Sequence, residues 1–199
     1  MSKHYHWLSI SLHWTMFLLL VLTFITIELR FIFPEKTRSH DLMRLWHYIF
    51  GTSIFFLVWL RLLVRSCTST PNIDPKPAYW QHILAKIVHF GLYLFMLVAP
   101  LIGWLHISAA NRTPTFYGVK LPVFVDPNSN LAQTLLNYHD EIALVGYTLI
   151  ALHIVGALFH HYICRDSTLI RMLPKTGGSK TRPNYQRAST PQLGQLLKN

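Results

Sequence analysis

With 199 residues, 51% of them hydrophobic and only 13% charged, this chain has too little polar surface for an ordinary soluble domain of its length and reads as a membrane protein. Its formal net charge of +10 is not accompanied by basic residues interleaved with aromatic stacking groups, so it points to an anionic lipid surface and excludes nucleic acid as the partner. The only cysteines, Cys67 and Cys164, form no C-x-x-C-H motif, which excludes a covalently attached c-type haem.

Residues 7–29 form the first stretch long enough to cross a hydrocarbon core of about 30 Å. It is too long for a signal peptide, carries His13 and Trp14 inside, and ends in Glu28 and Arg30 without a small-residue cleavage site, so it reads as a retained helix. A short connection around Pro34 leads to a second stretch, 42–64. Pro71, Pro75 and Pro77 then predict an extended loop before a third stretch, 83–108, which Pro100 should kink. The longest connection, 109–138, contains Pro114, Gly118, Pro122 and Pro127 and is expected to be a folded cap or a flexible lid. The fourth stretch, 139–163, completes the set. Trp7, Trp46, Trp80 and Trp104 lie near the ends of these stretches, as an interfacial belt requires. After Pro174 the composition turns to Gly, Ser, Lys, Asn and Gln, so residues 1–175 read as one transmembrane domain and 176–199 as a disordered cytoplasmic tail.

Backbone groups in lipid must be satisfied within the segment, so the expected architecture is all-α, an integral membrane four-helix bundle. Four crossings put both termini on one side. Assigning the N-terminus, the second loop and the tail to that side collects most of the lysines and arginines, which orients both termini inward. Both cysteines then face the reducing side, and no disulfide is expected.

Ionisable groups at membrane depth are costly enough to mark function, and imidazole is a strong axial ligand for haem iron. His139 and His153 are fourteen residues apart, which returns to nearly the same helix face about 21 Å further along. His13 and His153 both fall toward the inner side, and His47 and His139 toward the outer. The expected pairing is therefore His13 with His153 and His47 with His139, one b-type haem per pair. Gly51, Gly146 and Gly156 lie near these faces, where small residues leave room for a flat macrocycle or simply allow close helix packing. A zinc or copper site is the chemical competitor, but no carboxylate or thiol accompanies either pair inside the bilayer. His89, His160 and His161 have no partner at matching depth. His160, seven residues after His153, shares its face and can hydrogen-bond a haem propionate or a bound quinone. His4, His6, His40, His82 and His106 fall near water and are given no role.

Several stretches, in order, carry a resemblance: Ser9-Ile-Ser-Leu-His-Trp14, Glu28-Leu-Arg30, Phe33-Pro34, Arg61-Leu-Leu-Val-Arg65, Pro75-Lys-Pro77, His89-Phe-Gly-Leu-Tyr93, Pro100-Leu-Ile-Gly103, Gly146-Tyr147, His160-His161-Tyr162 and Arg171-Met-Leu-Pro174. They resemble the bacterial cytochrome b561 family of four-helix, di-haem inner-membrane proteins, and in particular its superoxide oxidase branch, over about residues 5–174. The resemblance implies that His13, His47, His139 and His153 are the axial ligands of two haem b groups. It also implies a reaction, oxidation of superoxide to oxygen at the periplasmic side with ubiquinone as electron acceptor, and quinone contacts at Ser11 and His160.

An anionic substrate needs local positive charge, and Arg30, Lys36, Arg38 and Arg44 are the candidates for steering superoxide. Outer acids offset the outer cations overall, so any attraction must come from a local funnel. The plainer role of these cations is pairing with haem propionates and lipid headgroups. Two other functional classes remain open at this level. One is a membrane-anchor electron-transfer subunit linking a partner dehydrogenase or hydrogenase to the quinone pool, and the other is a histidine-lined transporter.

Overall fold

Each apolar stretch becomes one long helix, because nothing else satisfies a backbone in lipid. The computed structural model describes residues 5–69 and 71–174; the expected tail, 176–199, lies outside the described residues. Helix α1 spans Trp7–Arg30, with the His6 side chain accepting from the Leu8 N–H, and ends just before Pro34. Helix α2 spans Arg38–Cys67 behind the Thr37 N-cap, whose hydroxyl accepts from the His40 N–H at 3.3 Å. Helix α3 spans Tyr79–Ala109, with the Gln81 side chain accepting from the Ala78 N–H, and it runs continuously through Pro100.

Helix α4 spans Ser129–Tyr162, so it begins ten residues before the expected position 139. Residues 129–138 are polar and amphipathic, which hid them from a reading by hydropathy. Asn128 caps them, its side chain accepting from the Leu131 N–H at 3.0 Å. The connection before α4 is correspondingly shorter and folds as a cap. Strands β1, Thr115–Phe116, and β2, Val119–Lys120, pair antiparallel in the register Thr115 with Lys120 and Phe116 with Val119. Tyr117 and Gly118, at φ 47° and 84°, make the two-residue turn that this twist favours. Phe116 packs against Phe56 of α2, and the Trp104 indole N–H donates to the Pro122 carbonyl at 2.9 Å. This tryptophan thus ties down the cap as well as sitting near a helix end.

Backbones approach closely between α1 and α2 and between α3 and α4, with α2 against α3 joining the two pairs. Met16, Ile54, Val58, Phe95, Met96 and Ala99 form the core layer at mid-height. Much of the remaining apolar surface faces outward, as a membrane helix requires; on α4 only Ala132 and Gly146 are buried. At one end hydrogen bonds tie distant segments together. The Tyr5 N–H donates to the Arg171 carbonyl, the Trp14 indole to the Met172 carbonyl at 2.8 Å, and the Arg171 guanidinium to the Pro71 carbonyl. Asp74 and Ser167 bond each other through backbone and side chain. This end gathers both described chain ends and the loop between α2 and α3, and corresponds to the expected inner side. Described lysines and arginines divide evenly between the ends, so the contrast comes from acids: Asp74 and Asp166 here, against Glu28, Glu35, Asp41, Asp126, Asp140 and Glu141 at the other. The cysteines are free.

Candidate functional site

The helices bring the four expected histidines together as the two expected pairs. His47 lies nine residues past Arg38 on α2, and His139 ten residues past Ser129 on α4, so the two histidines sit at nearly equal depth although α4 starts ten residues early and α2 only four. Their rings face each other with centroids 6.0 Å apart at 84°. The His13 and His153 rings lie 6.1 Å apart at 76°. A metal held between two imidazoles at the roughly 2 Å of a metal–nitrogen bond sets the ring centres about 6 Å apart, and both pairs meet that spacing. Between the pairs lies the apolar layer with Phe24 and Phe95, whose rings are parallel to within 1°.

At the outer pair both ring orientations are fixed from behind. The His47 Nδ1–H donates to the Thr23 carbonyl and the His139 Nδ1–H to the Ala99 carbonyl, each at 3.0 Å. This leaves both Nε2 lone pairs free to ligate, the arrangement that metal-binding histidines take. The inner pair matches in spacing but differs in what stands behind it. Arg61 lies 3.3 Å from His13 Nδ1 and donates to the Ser9 carbonyl at 3.1 Å. A His13 that ligates through Nε2 would carry its proton on Nδ1, with Arg61 keeping Ser9 as its partner.

His89 corrects the sequence reading, because it does have a partner at its depth. Its ring lies 5.2 Å from that of His153, with Nδ1–H donating to the Ala85 carbonyl. The spacing is too short for an intervening iron, so His89 stands beside the inner pair rather than within it. No three His, Cys, Asp or Glu side chains among the described residues are grouped to hold a bare metal ion.

The glycines divide by role. A Cβ on Gly51 or Gly156 would meet nothing within 4 Å, which suits a flat macrocycle beside His47 and His153. Gly146 instead makes room for Phe95, whose ring a Cβ there would strike. Gly103, which sequence reading did not assign, admits the His139 ring; a Cβ there would stand 3.2 Å from the ring carbon Cε1.

Beyond the inner pair, the His160 Nδ1–H donates to Asp166 Oδ2 at 2.5 Å. Burial alone would raise the Asp166 carboxyl, but hydrogen bonds from Thr168 and His160 outweigh it and hold the group below the usual carboxylate range. Ser11 lies on an exposed part of α1, about 200° around the helix from His13. At the outer end, Arg30, Lys36, Arg44 and Arg112 line one open pocket of about 770 Å³ together with Glu35 and Asp41. Arg38 is not among its lining residues, and Arg112, from the connection after α3, takes its place. Arg44 is partly neutralised by Asp41 at 3.0 Å.

The model of the prokaryotic cytochrome b561 family matches residues 4–175. The chain belongs to that family. Over 167 residues it is 39% identical to cytochrome b561 homolog 1 of Escherichia coli K12, covering 84% of this chain and 95% of the relative. It is 35% identical over 178 residues to the probable superoxide oxidase CybB of Yersinia pestis, covering 89% of this chain and all of the relative. Cytochrome b561 homolog 2 of E. coli K12 is 25% identical over 176 residues, 88% of this chain and 90% of the relative. As a cytochrome b561, the chain is a multi-pass protein of the bacterial inner membrane that binds b-type haem and serves electron transport. The missed residues of this b561 chain were local contacts. Gly103 and Arg112 carry no ligand signature in sequence, and only the helix crossing and the folded cap bring them to the site.

Proposed function

We propose that this cytochrome b561 oxidises superoxide to oxygen at its outer face and reduces ubiquinone at its inner face, with one haem b held by His47 and His139 and a second by His13 and His153. The supporting observation is the placement of two opposed histidine pairs at different heights on one bundle, each with the ring spacing that an iron requires. Bound there, haem supplies a one-electron carrier near each face.

The chain's own residues do the remainder. Thr23 and Ala99 hold the outer imidazoles in their ligating tautomer. Arg30, Lys36 and Arg112 make the outer pocket attractive to a small anion, while the folded cap keeps Arg112 in place. The core layer around Phe24 and Phe95 excludes water between the two levels. At the inner end, Ser11 and His160 contact the quinone. Two superoxide anions give two oxygen molecules, and ubiquinone takes up two electrons and two protons to become ubiquinol. The name borne by the Yersinia relative, probable superoxide oxidase, supports the same electron donor.

The test is purified, haem-loaded protein mixed with a superoxide source and a ubiquinone analogue. Rapid haem reduction followed by one ubiquinol per two superoxide anions is the expected result. Haem that stays oxidised with superoxide but is reduced by ubiquinol or by a dehydrogenase would place the chain among electron-transfer anchor subunits instead.

Gly103 provides a test that spares every ligand. A valine there forces the His139 ring out of line with His47, at an overpacking cost of about 1–3 kcal/mol. The expected outcome is a lower melting temperature and loss of outer haem with the inner haem retained, read from haem content and reduced-minus-oxidised spectra.

A further inference from the structure

Reduction of a quinone to a quinol consumes protons as well as electrons, and a group at the membrane's inner edge must deliver them. The end of α4 carries such a group with a partner built onto it. After Tyr162 the chain reverses direction: the Cys164 N–H bonds the Phe159 carbonyl, Arg165 takes a left-handed φ of 53°, and the Asp166 N–H bonds the His160 carbonyl at 3.1 Å. That reversal lays Asp166 back against the side chain of His160. One carboxylate oxygen accepts from the Thr168 N–H at 2.8 Å and the other from His160 Nδ1 at 2.5 Å, so the carboxylate has a single orientation. Its side chain is only 1% exposed and that of His160 15%, so water screens the pair little.

A buried carboxylate accepting from Nδ1–H fixes an imidazole's orientation and leaves Nε2 as the nitrogen that takes a proton from water and passes it on. His160 lies seven residues beyond His153 on the same face, about 10.5 Å further toward the inner end. The arrangement therefore aims a fixed proton donor at the space beyond the inner histidine pair.

We propose that Asp166 is a positioning residue that holds His160 as the proton donor to the bound quinone, an inference that rests on the quinone-reducing function above. As an electron reaches the quinone, the His160 Nε2–H bond breaks and an O–H bond forms on a quinone oxygen. Asp166 keeps the Nδ1–H throughout and is not itself protonated. Water on the inner side returns the proton to His160, and the second electron and second proton follow the same route. The electrons come from the oxidation of two superoxide anions, so the reaction balances without a further reductant.

The experiment uses the full-length, haem-loaded protein, reduced anaerobically with limiting dithionite and mixed with a short-chain ubiquinone while haem reoxidation is followed. Superoxide is absent, so only the quinone half-reaction is read. Asp166→Asn is expected to lower the maximal rate by about ten- to a hundredfold, no more than the low end of what losing the general acid itself costs, with the quinone concentration for half-maximal rate unchanged. His160→Gln should give a similar loss, and the double variant should be no slower than the slower single one, because the two residues act as a unit. Asp166→Glu, which keeps the charge, should lose less.

A wild-type maximal rate in whichever Asp166 variant loads haem would overturn the proposal. So would an effect confined to the half-saturating concentration, or additive losses in the double variant. If reduced wild-type protein is not reoxidised by ubiquinone, the quinone-reductase reading itself falls; if superoxide fails to reduce the haem, only the donor is wrong and this test stands.

Discussion

The His47→Ala protein is expected to retain the inner haem and lose the outer, and the His153→Ala protein to do the reverse, each falling from about two haems per chain to about one. Among the described residues His47 is the only imidazole in ring contact with His139, at 6.0 Å. The inner site is the more instructive case, because His89 lies 5.2 Å from the His153 ring. If His89 stands only beside the pair, His89→Ala keeps both haems. Haem content together with reduced-minus-oxidised spectra of the three variants checks the whole assignment. Unchanged content in His47→Ala and His153→Ala, or loss of the inner haem in His89→Ala, would require a different ligand set. Loss of a ligand also removes the electron carrier, so superoxide-driven quinol formation should be abolished in the two single-haem variants.

The second large effect concerns the outer pocket. Reversing Arg30 and Arg112 together to Glu should lower the second-order rate of haem reduction by superoxide by about ten- to a hundredfold and turn its fall with added salt into a rise. Of the pocket's four cations, Arg44 is already paired with Asp41, so the attraction comes from Arg30, Lys36 and Arg112 against the single charge of Glu35. Stopped-flow reduction across a range of ionic strength reads the effect, with reduction by ubiquinol at the inner end as the control that should not change. Equal loss in both directions would mean that the reversal damages the haem site rather than the approach of the anion.

The four spans and the two histidine pairs were legible because both are carried by strong local signals: long apolar runs, and imidazoles where lipid tolerates few ionisable groups. The start of α4 was not, since residues 129–138 are helical but polar, and hydropathy sees only the part in lipid. The histidine pairing survived the error because both helices start earlier than expected, α2 by four residues and α4 by ten, which puts His47 and His139 at nearly the same depth. His89 was set aside because no partner was matched to it at its depth; its neighbour is His153 of α4, already paired with His13, and only packing brings them together. Gly146 shows the limit of reasoning from small residues. Its face was right, but the group it admits is the Phe95 ring. Arg112 and the His160–Asp166 pair depend on chain reversals outside the helices, one in the cap and one after α4, whose course no periodicity reveals.

Electron paramagnetic resonance of the oxidised, purified protein, alongside its haem content, tests the central claim most directly. Two bis-histidine centres with nearly perpendicular imidazole planes, 84° at the outer pair and 76° at the inner, predict two distinct low-spin ferric signals of large anisotropy and about two haem b per chain. One haem per chain, or a high-spin ferric signal at full occupancy, would contradict the account.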